Sequence, residues 1–163
     1  MEERQSNARA QAHSVRQAGP DDAPDVARLL HDFNTEFSEP TPEVAVLSER
    51  ARALLGNGEM TVLLAGNGPD GLAQLRFRPS VWTGALDAYI EELYVVPDLR
   101  GRGIGRALLE AAMETARLRG ATHIDLTTGE TDTEARRLYE SAGFTNREGS
   151  PDGPPMLYYE REL

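Results

Sequence analysis

The chain has 163 residues, 39% hydrophobic and 27% charged, enough for one soluble domain with an ordinary core. It has no cysteine, which excludes disulfides, a thiol nucleophile and thiolate metal sites, and its 17 basic residues are all arginine, which excludes a P-loop NTPase and Schiff-base chemistry on its own lysine. A formal net charge of −10 disfavours nucleic acid and anionic membranes, and no apolar run approaches the ~20 residues of a membrane span.

The opening MEERQSNARAQAHS has no apolar central segment, so residues 1–13 read as a polar tail rather than a secretory signal, with the domain expected over 14–163 and a cytoplasmic location as the default. Val15–Gly19 reads as a first strand. Val26, Leu29, Leu30 and Phe33 then recur at helical spacing, and a polar connector, NTEFSEPTP, follows. Thr41-Pro42 has the form of an N-cap with proline at the first helical position, and Leu47, Ala51, Leu54 and Leu55 line the helix after it. TVLLAG and GLAQLRFRP read as strands joined by a turn, SVWTGALDA as a connector, and YIEELYVV as a strand ending at Pro97.

Ile104, Ala107, Leu108, Ala111, Thr115 and Leu118 form the stripe of a helix that closes at Gly120. THIDLTT is then a strand, and Thr131-Asp132-Thr133-Glu134 resembles a capping box ahead of a short helix through Tyr139. PMLYYERE reads as a last strand. Strands alternating with helices in the second half predict an α/β fold, a twisted mixed sheet with helices on both faces, and no second domain.

The stretch LRGRGIGRALLE places glycines and arginines where a strand hands over to a helix. The first N–H groups of a helix have no internal partner and carry the positive end of its dipole, so bare backbone there suits an anion. The dinucleotide fingerprint fails on spacing, because Gly101, Gly103 and Gly105 are separated by two and position 106 is Arg. R-x-x-G-x-G fits, through Arg100, Gly103 and Gly105.

This motif after a strand, followed some thirty residues later by A-x-x-L-Y-x-x-x-G-F, resembles the GNAT superfamily of N-acetyltransferases, most closely over Tyr89–Phe144 and more loosely at VRQAGPDDAPDVARLL. The resemblance implies acetyl-coenzyme A as cosubstrate. It assigns the pyrophosphate to Arg100, Gly101, Arg102, Gly103, Ile104, Gly105 and Arg106, and the pantetheine arm to the backbone of Val95 and Val96. The N–H near Val95 becomes the oxyanion donor, and Tyr139 becomes the acid for the departing thiolate. Asp132 stands where the family usually has a coenzyme-binding Asn; an aspartate only accepts, so that contact is in doubt. Members are often homodimers, so the resemblance leaves a homodimer open, and nothing in the sequence decides the point.

Transfer to an amine also needs a base. Glu91 and Glu92 are adjacent and point to opposite faces of a regular strand, so one of them faces the acceptor unless a bulge intervenes. The order Trp82, Tyr89, Glu91 and the nine-residue step from Glu91 to Arg100 resemble the diamine acetyltransferase branch, which favours Glu91 as base. Glu92 is then left as an acceptor contact. Carboxylates among aromatics, with Glu36 in the first connector and Trp82 before the catalytic strand, suggest a cage for a small cationic amine. No set of His and carboxylates has metal-ligand spacing. A coenzyme-binding sensor or inactive homologue, and an acetyltransferase acting on protein or peptide amines, stand as alternatives.

Overall fold

The computed structural model describes residues 14–163; the tail expected over 1–13 lies outside them. The chain divides into two compact units, one reaching to Leu126 and the other spanning Thr127–Leu163.

The first unit runs β1 (Val15–Gln17), α1 (Ala23–Glu36), α2 (Val44–Gly56), β2 (Thr61–Ala65), β3 (Gly71–Pro79), β4 (Leu86–Val95), α3 (Ile104–Leu118) and β5 (Ala121–Leu126). The strands form one sheet in the order β1-β2-β3-β4-β5. The first three pairings are antiparallel and β4–β5 is parallel, the crossover being α3. The mixed α/β sheet is the one that the alternation of strands and helices predicts.

Residues opposite each other in a ladder share a face. The register Val62↔Gln74 and Leu64↔Leu72, continued by Leu72↔Tyr94, therefore puts Val62, Leu64, Leu72, Gln74 and Tyr94 on one face. There Val62, Leu64, Leu72 and Tyr94 pack with Val26 and Leu29 of α1 and Ala51 of α2. The opposite face carries Gly71, Leu75 and Phe77, and α3 covers it. A Cβ on Gly71 would lie 3.1 Å from Leu108 Cδ1, and the Arg119 guanidinium, just past α3, sits 3.9 Å from the centre of the Phe77 ring. Ile104, Leu108 and Leu109 are fully buried. Each such side chain is worth about 1.5–3 kcal/mol of burial, which outweighs the ~1 kcal/mol that Gly105 costs the first turn. Docking, not propensity, holds the glycine-rich start of α3.

Several boundaries differ from the sequence reading, and three of them bear on the site. Helix α1 continues three residues past Phe33, so Glu36 lies on its last turn and not in the connector. Helix α2 starts at Val44 with Glu43 as N-cap, because the Thr41 hydroxyl turns to the Pro42 carbonyl, 3.4 Å away, instead of capping. Strand β4 begins at Leu86, since the hairpin with β3 stays paired as far as Leu86↔Pro79.

The second unit holds α4 (Thr133–Ser141). Its N-cap is Asp132, whose carboxylate accepts from the Ala135 N–H at 3.1 Å. The last strand expected over PMLYYERE does not form: among the described residues its pairing stops at one bridge, Arg147↔Pro155, flanked by the Met156 N–H on the Asn146 carbonyl, and residues 156–163 are exposed. Pro151, Pro154 and Pro155 remove ladder donors where a hairpin would have to grow.

Candidate active site

The backbone after β4 makes a short 3₁₀ turn at Pro97–Leu99, and Gly101 and Gly103 then adopt left-handed conformations with φ of 72° and 89°. A Cβ on Gly101 would meet nothing within 4 Å, so conformation rather than crowding calls for glycine there. Gly103 is the N-cap of α3 and supplies no side-chain cap. The helical N–H groups of Ile104 and Gly105 thus begin α3 without intrahelical acceptors, at the positive end of the dipole, with Arg102 and Arg106 on the same turn.

Arg100 departs from this set. Its Nη1 and Nη2 donate to Glu36 Oε1 and Oε2, both at 2.7 Å, and its Nε donates to the Val95 carbonyl at 2.9 Å. The guanidinium also lies 5.6 Å from the centre of the Tyr94 ring. The Arg100 hydrogen bonds hold the Glu36 carboxyl below its ordinary value. Burial, and then the Glu36 charge, raise the Tyr94 hydroxyl. Two residues expected to serve different ligands, Arg100 the pyrophosphate and Glu36 the acceptor, are instead paired with each other.

Strand β4 has an open stretch of edge. Its ladder with β5 ends at Ile90↔Leu126, while the strand itself runs on to Val95. The Val96 N–H donates to the Asp70 carbonyl at 2.9 Å. Alternation along the antiparallel ladder then turns the N–H and C=O groups of Leu93 and Val95 away from β3, along that edge. Val96 was expected to offer its backbone too, but both of its groups are used: its carbonyl accepts from Leu99 at 3.0 Å.

A bulge sits in the middle of β4. Leu75 pairs with Ile90 and Gln74 with Glu92, leaving Glu91 as the extra residue. Glu92 therefore shares the Gln74 face, and Glu91 points there as well. Its Oε2 accepts from Arg76 Nε at 2.8 Å and from Gln74 Nε2. The opposite-face arrangement expected of a regular strand does not hold; both carboxylates face the same way. Their surroundings differ. Glu91 is ion-paired with Arg76. Glu92 has no hydrogen bond or ion pair among the described residues, and burial, then the Glu91 charge, push its carboxyl up to about 7. Farther along this face Arg78 pairs with Asp125 at 3.0 Å and reaches Asp87 at 3.9 Å.

The remaining expected residues fall elsewhere. Trp82 is at the tip of the β3–β4 hairpin and is 94% exposed. Asp132 is engaged in capping α4. Tyr139 lies in α4 with its ring centre 6.1 Å from that of Phe144. Sequence reasoning missed Gln74, Arg76 and Leu93. A signal for the bulge was present: the apolar positions Ala88, Ile90, Leu93 and Val95 step by two, then three, then two. Among the described residues, no cluster of three or more His, Asp or Glu could hold a metal ion, and no helix is long and apolar enough to cross a membrane.

The sequence profile of the Acetyltransferase (GNAT) family matches residues 26–144. A crystal structure of a provisionally assigned acetyltransferase from Arthrobacter sp. FB24 superposes with a TM-score of 0.84 at 49% identity, covering 92% of this chain and 96% of that one. Thialysine N-epsilon-acetyltransferase of Mus musculus is 28% identical over 83% of this chain and 87% of its own length. Mycothiol acetyltransferase of Beutenbergia cavernae is 41% identical over 40% of this chain, a match that spans 23% of that longer protein. The family profile spans most of the chain, and the 49% identical structure covers nearly all of it; the chain belongs to the GNAT family of acetyltransferases.

Proposed function

We propose that the chain moves the acetyl group of acetyl-coenzyme A to the primary amine of a small molecule, with Glu92 as the base. The observation that carries this reading is β4 itself. One strand presents an open backbone edge leading to the uncapped start of α3, and beside it a half-buried carboxylate titrating at about 7.

The residues fit the cosubstrate by its chemistry. The N–H groups of Ile104 and Gly105, with Arg102 and Arg106, suit a pyrophosphate. The open N–H and C=O groups of Leu93 and the N–H of Val95 suit the amides of a pantetheine arm, pairing as an added strand would, while the Val95 carbonyl is held by Arg100. When bound, acetyl-coenzyme A supplies an activated acyl carbon and a thiolate leaving group. The Val95 N–H is the donor assigned to the oxygen that gains negative charge. Tyr139 is the acid assigned to the leaving group, on the strength of its place in the L-Y-x-x-x-G-F motif.

The base role passes from Glu91 to Glu92 for a physical reason. A base must take a proton from an ammonium and hold it. Glu91 already accepts from Arg76 and Gln74, so its carboxylate is occupied. Glu92 lacks such donors among the described residues, and its raised value lies near neutral pH, where a general base works best. Arg76 and Gln74 then act by holding Glu91 beside it.

The same pairings bear on the acceptor. Glu36 is taken by Arg100, Glu91 by Arg76, and Asp87 and Asp125 by Arg78, so the carboxylate cage for a polyamine is largely neutralised. A small molecule with a single reacting ammonium fits better, and the thialysine enzyme among the relatives is named for such an amine.

The test is a calorimetric titration with acetyl-coenzyme A, followed by thiol release against a panel of mono- and polyamines, with the wild type beside Glu92→Gln and Glu91→Gln. Turnover lost in Glu92→Gln and largely kept in Glu91→Gln supports the assignment. The reverse pattern returns the role to Glu91. Binding without release on any amine moves the reading to a coenzyme-binding sensor or a protein substrate, and preference for polyamines refutes the acceptor class.

A further inference from the structure

The Arg100–Glu36 pair has no part in the chemistry above, yet it is the best-formed ion pair near the strand edge. Arg100 opens the glycine-arginine loop, and Glu36 ends α1. Each of the three guanidinium nitrogens already has an acceptor inside the protein: Nη1 and Nη2 on the two Glu36 oxygens, Nε on the Val95 carbonyl. Fork-to-fork pairing of this kind fixes orientation as well as distance. The Tyr94 ring beneath the guanidinium is in turn packed against Phe33 of α1, with ring centres 5.6 Å apart. One side chain thus joins the last turn of α1, the end of β4 and the start of the loop.

We propose that Arg100 and Glu36 are positioning residues: the pair ties α1 to the Val95 carbonyl and so holds the open β4 edge and the Gly101–Gly105 loop in the shape that receives acetyl-coenzyme A, while Arg100 itself makes no contact with the phosphates. This rests on the coenzyme assignment above and goes further, because an arginine at the head of an anion-binding loop would ordinarily be given to the anion. The Val95 carbonyl is the key contact. It follows the Tyr94–Val95 peptide whose N–H faces the open edge, so anchoring it fixes the pitch of the backbone there. Without the clamp, the segment between Val95 and Gly103, which has two left-handed glycines, has more conformations to lose on binding.

The two roles predict opposite results for one substitution. A phosphate-binding Arg100 is released when Glu36 loses its charge, so Glu36→Gln should leave acetyl-coenzyme A binding unchanged or tighten it. A strut fails when either end is cut, so Glu36→Gln and Arg100→Gln should each weaken binding by about tenfold, and the double variant should be no weaker than either alone. Dissociation constants are measured by calorimetry, with near-ultraviolet circular dichroism confirming the fold at the same temperature. Arg100→Lys and Glu36→Asp serve as gentler variants if a glutamine variant fails to fold. A rise in KM for acetyl-coenzyme A with little change in KM for the amine separates this role from general loosening.

Equal and non-additive losses support the proposal. Unchanged or tighter binding in Glu36→Gln, or additive losses in the double variant, overturn it. If the wild type does not bind acetyl-coenzyme A, the coenzyme assignment falls and this inference with it; if the wild type binds and the variants match it, this inference alone is refuted.

Discussion

Two helices in this protein begin after an extended segment and a turn, and they are finished in opposite ways. Helix α4 is closed by its own sequence, since the Asp132 carboxylate accepts from the Ala135 N–H. Helix α3 starts at Gly103, which has no side chain to offer as a cap. Both ends have the same unsatisfied donors and the same dipole. The difference shows which positive helix end the chain spends on its own stability and which it leaves for something else. An aspartate where a relative's coenzyme ligand is expected can instead cap its own helix, and a glycine-rich start need not be a defect.

The comparison breaks most sharply if α3 is closed in the same manner as α4. Gly103→Asp puts a Cβ on a left-handed residue and a negative charge at the dipole's positive end. We expect acetyl-coenzyme A affinity to fall on the order of a hundredfold by calorimetry. Unchanged affinity would mean that the open end is not the anion site.

Next in size is the carboxylate beside that end. Glu92→Gln should cut kcat/KM by about a hundredfold near neutral pH. The wild-type profile should rise with pH through about 7 as Glu92 loses its proton, and the variant should lack that limb. The same residue makes a stability prediction. Because the folded chain holds the Glu92 proton more tightly than the unfolded chain, stability present at low pH is lost as pH rises from 4.5 towards about 7. Thermal melts across this range should therefore fall more steeply for the wild type than for Glu92→Gln. Parallel melts would show that the carboxylate is solvated.

The smallest effect belongs to α4. Asp132→Ala should lose about 1 kcal/mol, the usual value of an N-cap, and leave coenzyme affinity within about twofold. Asp132→Asn should melt like the wild type, because asparagine caps equally well. A gain of coenzyme affinity in Asp132→Asn would show that position 132 serves both ends of the comparison.

The elements that come from local spacing were legible. The stripes of α1 and α3, the hairpin of β2 and β3, and the glycine-arginine loop all stand where periodicity and turn residues put them, because each depends on neighbours within a few positions. What the sequence did not disclose lies across long separations. Arg100 meets Glu36 across 64 positions and Arg76 meets Glu91 across 15, and no local pattern marks either pair. The last strand misled for a related reason. PMLYYERE has the composition of a strand, but a strand needs a partner along its length, and its pairing with the Arg147 segment stops after one bridge. The two-three-two step in β4 was visible, and a bulge was allowed for Glu91 and Glu92, but the step was not used to place it.

That slip in β4 works as a phase change. On either side of Glu91 the strand alternates regularly, and the ladder loses count by one residue between Leu75 and Gln74. Removing Glu91 would restore plain alternation without moving any neighbour off its partner: Ile90 would still face Leu75, and Glu92 would still face Gln74. Whether Glu92 has a carboxylate neighbour on this face is therefore set by the length of the strand. One residue fewer leaves Glu92 without its carboxylate neighbour, and one residue more supplies a second charge that adds to burial in keeping Glu92 basic.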